Sequence, residues 1–113
     1  MTLVFKICAA TEWAAAEAAG VFKGSVIDHA DGFIHLSSAA QVRETAARHF
    51  ARVDGLVLVA FAAEELAGLK WEASRGGAMF PHVYGHLPVR LARWVKPLPV
   101  ASGAHVFPQE VAF

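Results

Sequence analysis

Six consecutive apolar residues, Leu56-Val57-Leu58-Val59-Ala60-Phe61, follow directly on an Asp54-Gly55 turn signal. The run is far shorter than the roughly 18–20 residues that span a bilayer, and no apolar run in the chain is longer than that limit. Its branched residues favour a strand, and the lack of polar alternation predicts one covered on both faces. A chain built around such a strand needs a layer of structure on each side of it. With 113 residues, 56% of them hydrophobic and eight Phe and three Trp among them, it has material for both layers in a single domain spanning residues 1–113.

The rest of the pattern predicts an α+β domain with two main helices. Leu3-Val4-Phe5-Lys6-Ile7-Cys8-Ala9 reads as a first strand, and Thr11 as the N-cap of an Ala-rich helix closed by Gly20. Residues 21–32 read as a loop, and Phe33-Ile34-His35-Leu36 as a short strand. Ser38 and Gln41 have capping-box spacing before a helix running to about Arg52, with Val42, Ala46 and Phe50 on its buried face. Residues 62–68 suggest a single helical turn, and Leu69-Lys70-Trp71-Glu72-Ala73 alternates like a strand. Residues 74–81 carry too much Gly and Pro for regular structure and read as a functional loop. Val83-Tyr84 and residues 89–95 are further strand material, and the proline-rich tail reads as a wrap or minor strand.

Ten Lys and Arg balance ten Asp and Glu. Zero net charge gives no global field to gather nucleic acid or an anionic membrane surface, so strong nucleic-acid binding is not expected. The lone Cys8 cannot form an internal disulfide, which points to a cytoplasmic protein. Six His are present, but no HExxH or comparable ligand pattern accompanies them, so no metal is expected.

Two polar residues interrupt apolar strands, where burial without a partner is costly: Lys6 and His35. His35 leads into Ser37-Ser38 at a strand-to-helix junction, where side chains emerge into clefts. Arg75 beside two glycines can hold an anion, and Phe80 and Tyr84 can stack on a planar ring. Lys6 and His35 are expected to share one cleft with His82.

The stretches Asp31-Gly32-Phe33-Ile34-His35-Leu36-Ser37 and Gly76-Gly77 through Phe80-Pro81-His82-Val83-Tyr84-Gly85 resemble the small bacterial proteins grouped as the domain-of-unknown-function family numbered 952. Trp13, Gly20 and Lys70-Trp71-Glu72 occur in the matching order. More distantly, Phe5-Lys6 followed by Ile34-His35-Leu36-Ser37 is similar to the ADP-ribosyltransferase-like fold, and within it to the RNA 2'-phosphotransferases with their H-V-H-L-S stretch. That resemblance implies a mixed, split sheet cupping NAD, used as a substrate rather than a resident cofactor. It implies Lys6 and His35 as catalytic residues, with Ser37, Glu72, Arg75, Phe80, His82 and Tyr84 as the nucleotide-binding set. Lys6 stands where the phosphotransferases carry a histidine, and Asp31 stands near the place of the arginine that precedes their H-V-H-L-S stretch; with zero net charge as well, a small nucleotide is the expected partner ahead of RNA. A binding module that kept the cleft without the chemistry is the alternative, and a metal-dependent hydrolase the third reading.

Overall fold

The computed structural model describes residues 1–111, except for the side chain of Arg75. Its strands are β1 (Leu3–Ala9), β2 (Val21–Phe22), β3 (Ile34–His35), β4 (Ser37–Ser38), β5 (Leu56–Ala62), β6 (Leu69–Ala73), β7 (Met79–Val83), β8 (Leu87–Pro88), β9 (Trp94–Leu98), β10 (Val100–Ala101) and β11 (Ala104–His105). The helices are α1 (Ala10–Ala19), α2 (Val26–Asp31) and α3 (Val42–His49), and single 3-10 turns cover Ala63–Glu65, Arg75–Gly77 and Val89–Leu91. A four-stranded sheet, β4-β1-β5-β9, faces a three-stranded one, β3-β7-β6, and β2-β8 and β10-β11 form small ladders. The domain is α+β, with antiparallel sheets and few helices.

The apolar run does what its composition requires. In β1 and β5, Val4, Cys8, Val59 and Phe61 pack with Trp13 of α1, Phe22, Ile34 and Val83 on one face of the sheet. Phe5, Ile7, Leu58 and Ala60 pack with Val42 and Ala46 of α3, Leu98 and Val111 on the other. Each fully buried side chain of this size stabilises the fold by about 1.5–3 kcal/mol. By the alternation of β1, Lys6 lies on the same side as Val4 and Cys8.

Six expectations need correction. The sheet is not mixed: each described ladder is antiparallel, and β4 and β5, joined by α3 across β1, run the same way and both oppose β1 without pairing with each other. Residues 21–32 are not a loop, since they form β2 and α2. Ser25 and Asp28 carry the spacing of a capping box, and the Asp28 carboxylate accepts the Ser25 N–H at 2.8 Å. Gln41 does accept the Ser38 N–H at 3.0 Å, but Ser37 and Ser38 pair with β1, so α3 starts only at Val42 and stops at His49. Likewise α1 starts at Ala10 rather than after Thr11, with Glu12 accepting the Ala9 N–H.

The glycine-rich segment is a tight hairpin rather than a long loop. Ser74 N–H bonds the Ala78 carbonyl, Gly77 N–H bonds the Ser74 carbonyl, and Met79, Phe80 and Pro81 already belong to β7. Residues 89–95 divide between a 3-10 turn and the start of β9.

Candidate functional site

Lys6 enters the protein interior from the middle of β1 and meets Asp28 of α2 at 2.8 Å, with the two side chains only 5% and 2% exposed. Most of the pair's bonding capacity is spent on groups of the fold. Asp28 Oδ2 also accepts the Ser25 N–H, and Asp28 Oδ1 accepts the N–H of His35 at 3.0 Å. Lys6 Nζ donates its second bond to the carbonyl of His35 at 3.1 Å. The His35 peptide groups are therefore gripped on both sides, which sets where its imidazole starts.

Cross-strand register then forms the centre of the site. His35 of β3 and Lys70 of β6 both stand opposite His82 of β7. The imidazoles of His35 and His82 meet edge to face, with ring centroids 5.5 Å apart. Phe33 stacks on His82 at 4.0 Å and 28° and leans on His35 at 4.6 Å. Each imidazole has its own carboxylate: His35 Nε2 lies 2.8 Å from Asp31 Oδ2, and His82 Nδ1 lies 2.8 Å from Glu72 Oε1. The Tyr84 hydroxyl donates to that same Glu72 oxygen at 2.8 Å. An ionised Glu72 selects the His82 tautomer with hydrogen on Nδ1, which leaves a lone pair on Nε2.

Both rings line a cavity of about 470 Å³. Lys6, Ser37, Thr45, His49 and Ser74 contribute to its polar lining, while Phe5, Ile7, Ile27, Phe50 and Phe80 make much of its apolar wall. Thr45 donates to the Gln41 carbonyl, so the Ser37 hydroxyl donates to Thr45 Oγ1 at 3.0 Å and keeps its own lone pairs. The volume falls within the range of small-molecule sites.

Burial is the main influence on His35 and pushes its pKa down, against the pull of Asp28 and Asp31. The hydrogen bonds from His82 and Tyr84 hold the Glu72 carboxyl below its usual range, and the bond to Glu72 raises the Tyr84 phenol. Cys8 is pushed up to about 12 by burial, so it is a neutral core thiol. Among the described residues, no group of three or more His, Cys, Asp or Glu is arranged to hold a metal ion. No described helix is long and apolar enough to cross a membrane.

Of the residues singled out from sequence, Lys6, His35, Ser37, Phe80 and His82 line the cavity. Glu72 stands behind His82 and is bonded to it, and Tyr84 in turn donates to Glu72. The Arg75 side chain lies outside the described residues. Asp28, Asp31 and Phe33 belong to the cluster and were not anticipated. The serine-to-aspartate spacing at Ser25 and Asp28 was a readable signal for the first. The contacts of Asp31 and Phe33 come from tertiary pairing and had none.

Residues 7–95 match the family described as protein of unknown function (DUF952). No curated protein matches significantly. Among solved structures, the chain is similar to the crystal structure of protein CC0527 from Caulobacter crescentus, a structural genomics target, at 47% identity and a TM-score of 0.94. That match covers 99% of this chain and 100% of the other. The solution NMR structure of CC0527 matches at 50% identity and a TM-score of 0.83, covering 93% of this chain and 91% of that one. The chain belongs to this family of uncharacterised proteins.

Proposed function

We propose that this family member binds a nucleotide of the NAD class in the His35–His82 cavity and acts on it as an ADP-ribosyltransferase-like transferase. The observation that carries the reading is the pair of carboxylate-held imidazoles lining one largely apolar cavity. The two segments that resemble the transferase class, Phe5-Lys6 and His35-Leu36-Ser37, also contribute to that one cavity. Assignment of the α+β domain to that fold class rests on this convergence, and the proposed setting is the cytoplasm.

The chemistry follows from the tautomer. The bond between ribose C1' and the nicotinamide nitrogen breaks, and neutral nicotinamide leaves with the bonding electrons. An acceptor hydroxyl or water adds to the oxocarbenium-like carbon and releases its proton to His82 Nε2. Glu72, already bonded to Nδ1–H, stabilises the resulting imidazolium. Phe80 would offer the planar ring a face, and the Ser37 hydroxyl, which also lines the cavity, would bond the ribose. The enzyme's contribution is positioning and electrostatic stabilisation of the developing cation.

A module that holds the nucleotide without turning it over is the second reading, and Lys6 favours it. The Lys6 ammonium is bonded to Asp28 and the His35 carbonyl. It positions His35 instead of reaching a ligand. Calorimetric titration with NAD, ADP-ribose and a short RNA, together with an assay of nicotinamide release, tests both. NAD binding that His82→Ala abolishes supports the site, and release of nicotinamide separates transferase from binding module. Tight, salt-sensitive RNA binding with no nucleotide response overturns the proposal.

A further inference from the structure

Strand β6 is the edge of the three-stranded sheet, and β7 is its sole described ladder partner. The direction of its backbone groups follows from the hairpin. Tyr84 N–H bonds the Gly68 carbonyl and Ser74 N–H bonds the Ala78 carbonyl, so Gly68, Lys70, Glu72 and Ser74 face β7. Leu69, Trp71 and Ala73 therefore turn their N–H and C=O groups outward from the sheet. The edge carries no proline, whereas β9 at the edge of the other sheet contains Pro97. Trp71 is 39% exposed and Met79, opposite Ala73, is 51% exposed, so apolar surface flanks this open edge.

The sequence of the edge is charge-symmetric about Trp71, with Lys70 on one side and Glu72 on the other. Antiparallel self-pairing about a two-fold axis can be centred on any of the three. An axis through Lys70 or Glu72 sets like charges opposite each other, which destabilises pairing. With the axis through Trp71, each Lys70 stands opposite a Glu72. It also sets Leu69 against Ala73 and Trp71 against Trp71, all residues whose backbone groups point outward. Glu72 has an oxygen for the incoming ammonium, because His82 and Tyr84 both bond Oε1.

We propose that a second copy of this chain pairs along β6 in this register, joining the two three-stranded sheets, and that its Lys70 completes the Glu72–His82 cluster. The inference holds whichever ligand the cavity takes. A five-residue edge buries modest area, so the dimer is concentration-dependent and salt-sensitive.

Sedimentation velocity without nucleotide tests it. The wild-type protein should shift from monomer to dimer with concentration. Lys70→Glu and Glu72→Lys should each be monomeric where the wild type is dimeric, with unchanged circular dichroism. Mixing these two variants restores opposite charges at both pairs and should restore the dimer. A wild type that stays monomeric throughout the dilution series overturns the proposal, as does a Lys70→Glu variant that still dimerises. Two folded monomeric variants that fail to combine overturn the register. Lys70 is exposed, so its variant decides the matter even if Glu72→Lys does not fold. Capture of another protein's strand by a monomeric wild type would assign the edge to a different partner and also overturn it.

Discussion

The two histidines stand on clusters of opposite character. Beneath His35, the Lys6–Asp28 pair is sealed, with both Asp28 oxygens occupied and the lysine bonded to a carboxylate and a carbonyl. Behind His82, Glu72 is 36% exposed and places two donors on one oxygen. Both clusters put charge next to the cavity, yet they do different work. A buried charge whose bonds go to the fold fixes geometry: neither Asp28 oxygen is open, and Lys6 gives two of its three N–H groups to protein acceptors. A half-open carboxylate that orients an imidazole leaves that imidazole free to act. Polarity inside an apolar strand is therefore a sign of a partner, and only the count of remaining bonds says whether that partner is the fold or a ligand.

The largest effect expected from breaking this contrast comes from the sealed side. Asp28→Ala strands the Lys6 ammonium in the interior and frees the N–H groups of Ser25 and His35. Loss of one partner of a buried ion pair costs about 3–5 kcal/mol. Urea denaturation should show a loss of that order. The pair Lys6→Met with Asp28→Asn should recover part of it, because the charge leaves and an acceptor for the His35 N–H remains. A loss below about 1 kcal/mol for Asp28→Ala would be that of an ordinary surface position and would sink the scaffolding role.

On the open side the order of sensitivities reverses. Glu72→Gln should cost about 0.5–1.5 kcal/mol, the net worth of a hydrogen bond and well below the loss at Asp28. On the proposed transferase reading it should lower nicotinamide release by about 10–100-fold, by analogy with carboxylates that orient metal-bound histidines. Equal activity in the variant would return His82 to a packing role. A spectroscopic readout needs no substrate. Tyr84 is the only tyrosine, so the absorbance change on phenolate formation reports it alone. Its raised pKa is caused first by the Glu72 bond, so Glu72→Gln should move the titration back toward 10. An unmoved midpoint would show that the bond does not hold in solution.

Legibility followed the same division. β1 and β6 coincide with the strands expected from Leu3 to Ala9 and from Leu69 to Ala73, because apolar content and alternation are local properties. α2 was missed although Ser25 and Asp28 carried its signal. The six residues of α2 show little helical periodicity, and the carboxylate that caps the helix is held from across the domain by Lys6. Pro81 argued against a strand at 79–83, yet it sits between Phe80 and His82 inside β7. That placement brings His82 opposite His35, and no spacing in the chain announces it. Lys6 was readable as a residue in need of a partner, but the identity of Asp28 was not.

The smallest effect separates the two clusters by pH. The folded-state pKa of His35 lies below its ordinary value of 6.5, with burial as the first cause. Below that ordinary value the unfolded chain binds a proton that the folded protein resists, so the contribution of neutral His35 is complete above it. The contribution is lost as pH falls from there through the lower folded value. Glu72 follows the acidic pattern instead. Its depressed pKa gives a contribution present above 4.5 and lost only as pH falls through the still lower folded value. The two windows do not overlap near neutrality, so a denaturation series from about pH 8 to about pH 5 reads the sealed side first. The informative quantity is the difference between the wild type and His35→Asn. That difference should shrink as pH falls, because the variant has no imidazole to protonate. Asp31→Asn should steepen the wild-type loss, since Asp31 works to raise the pKa that burial lowers. A wild type and His35→Asn that lose stability in parallel would mean the imidazole is solvated, and both histidines would then belong to the open side.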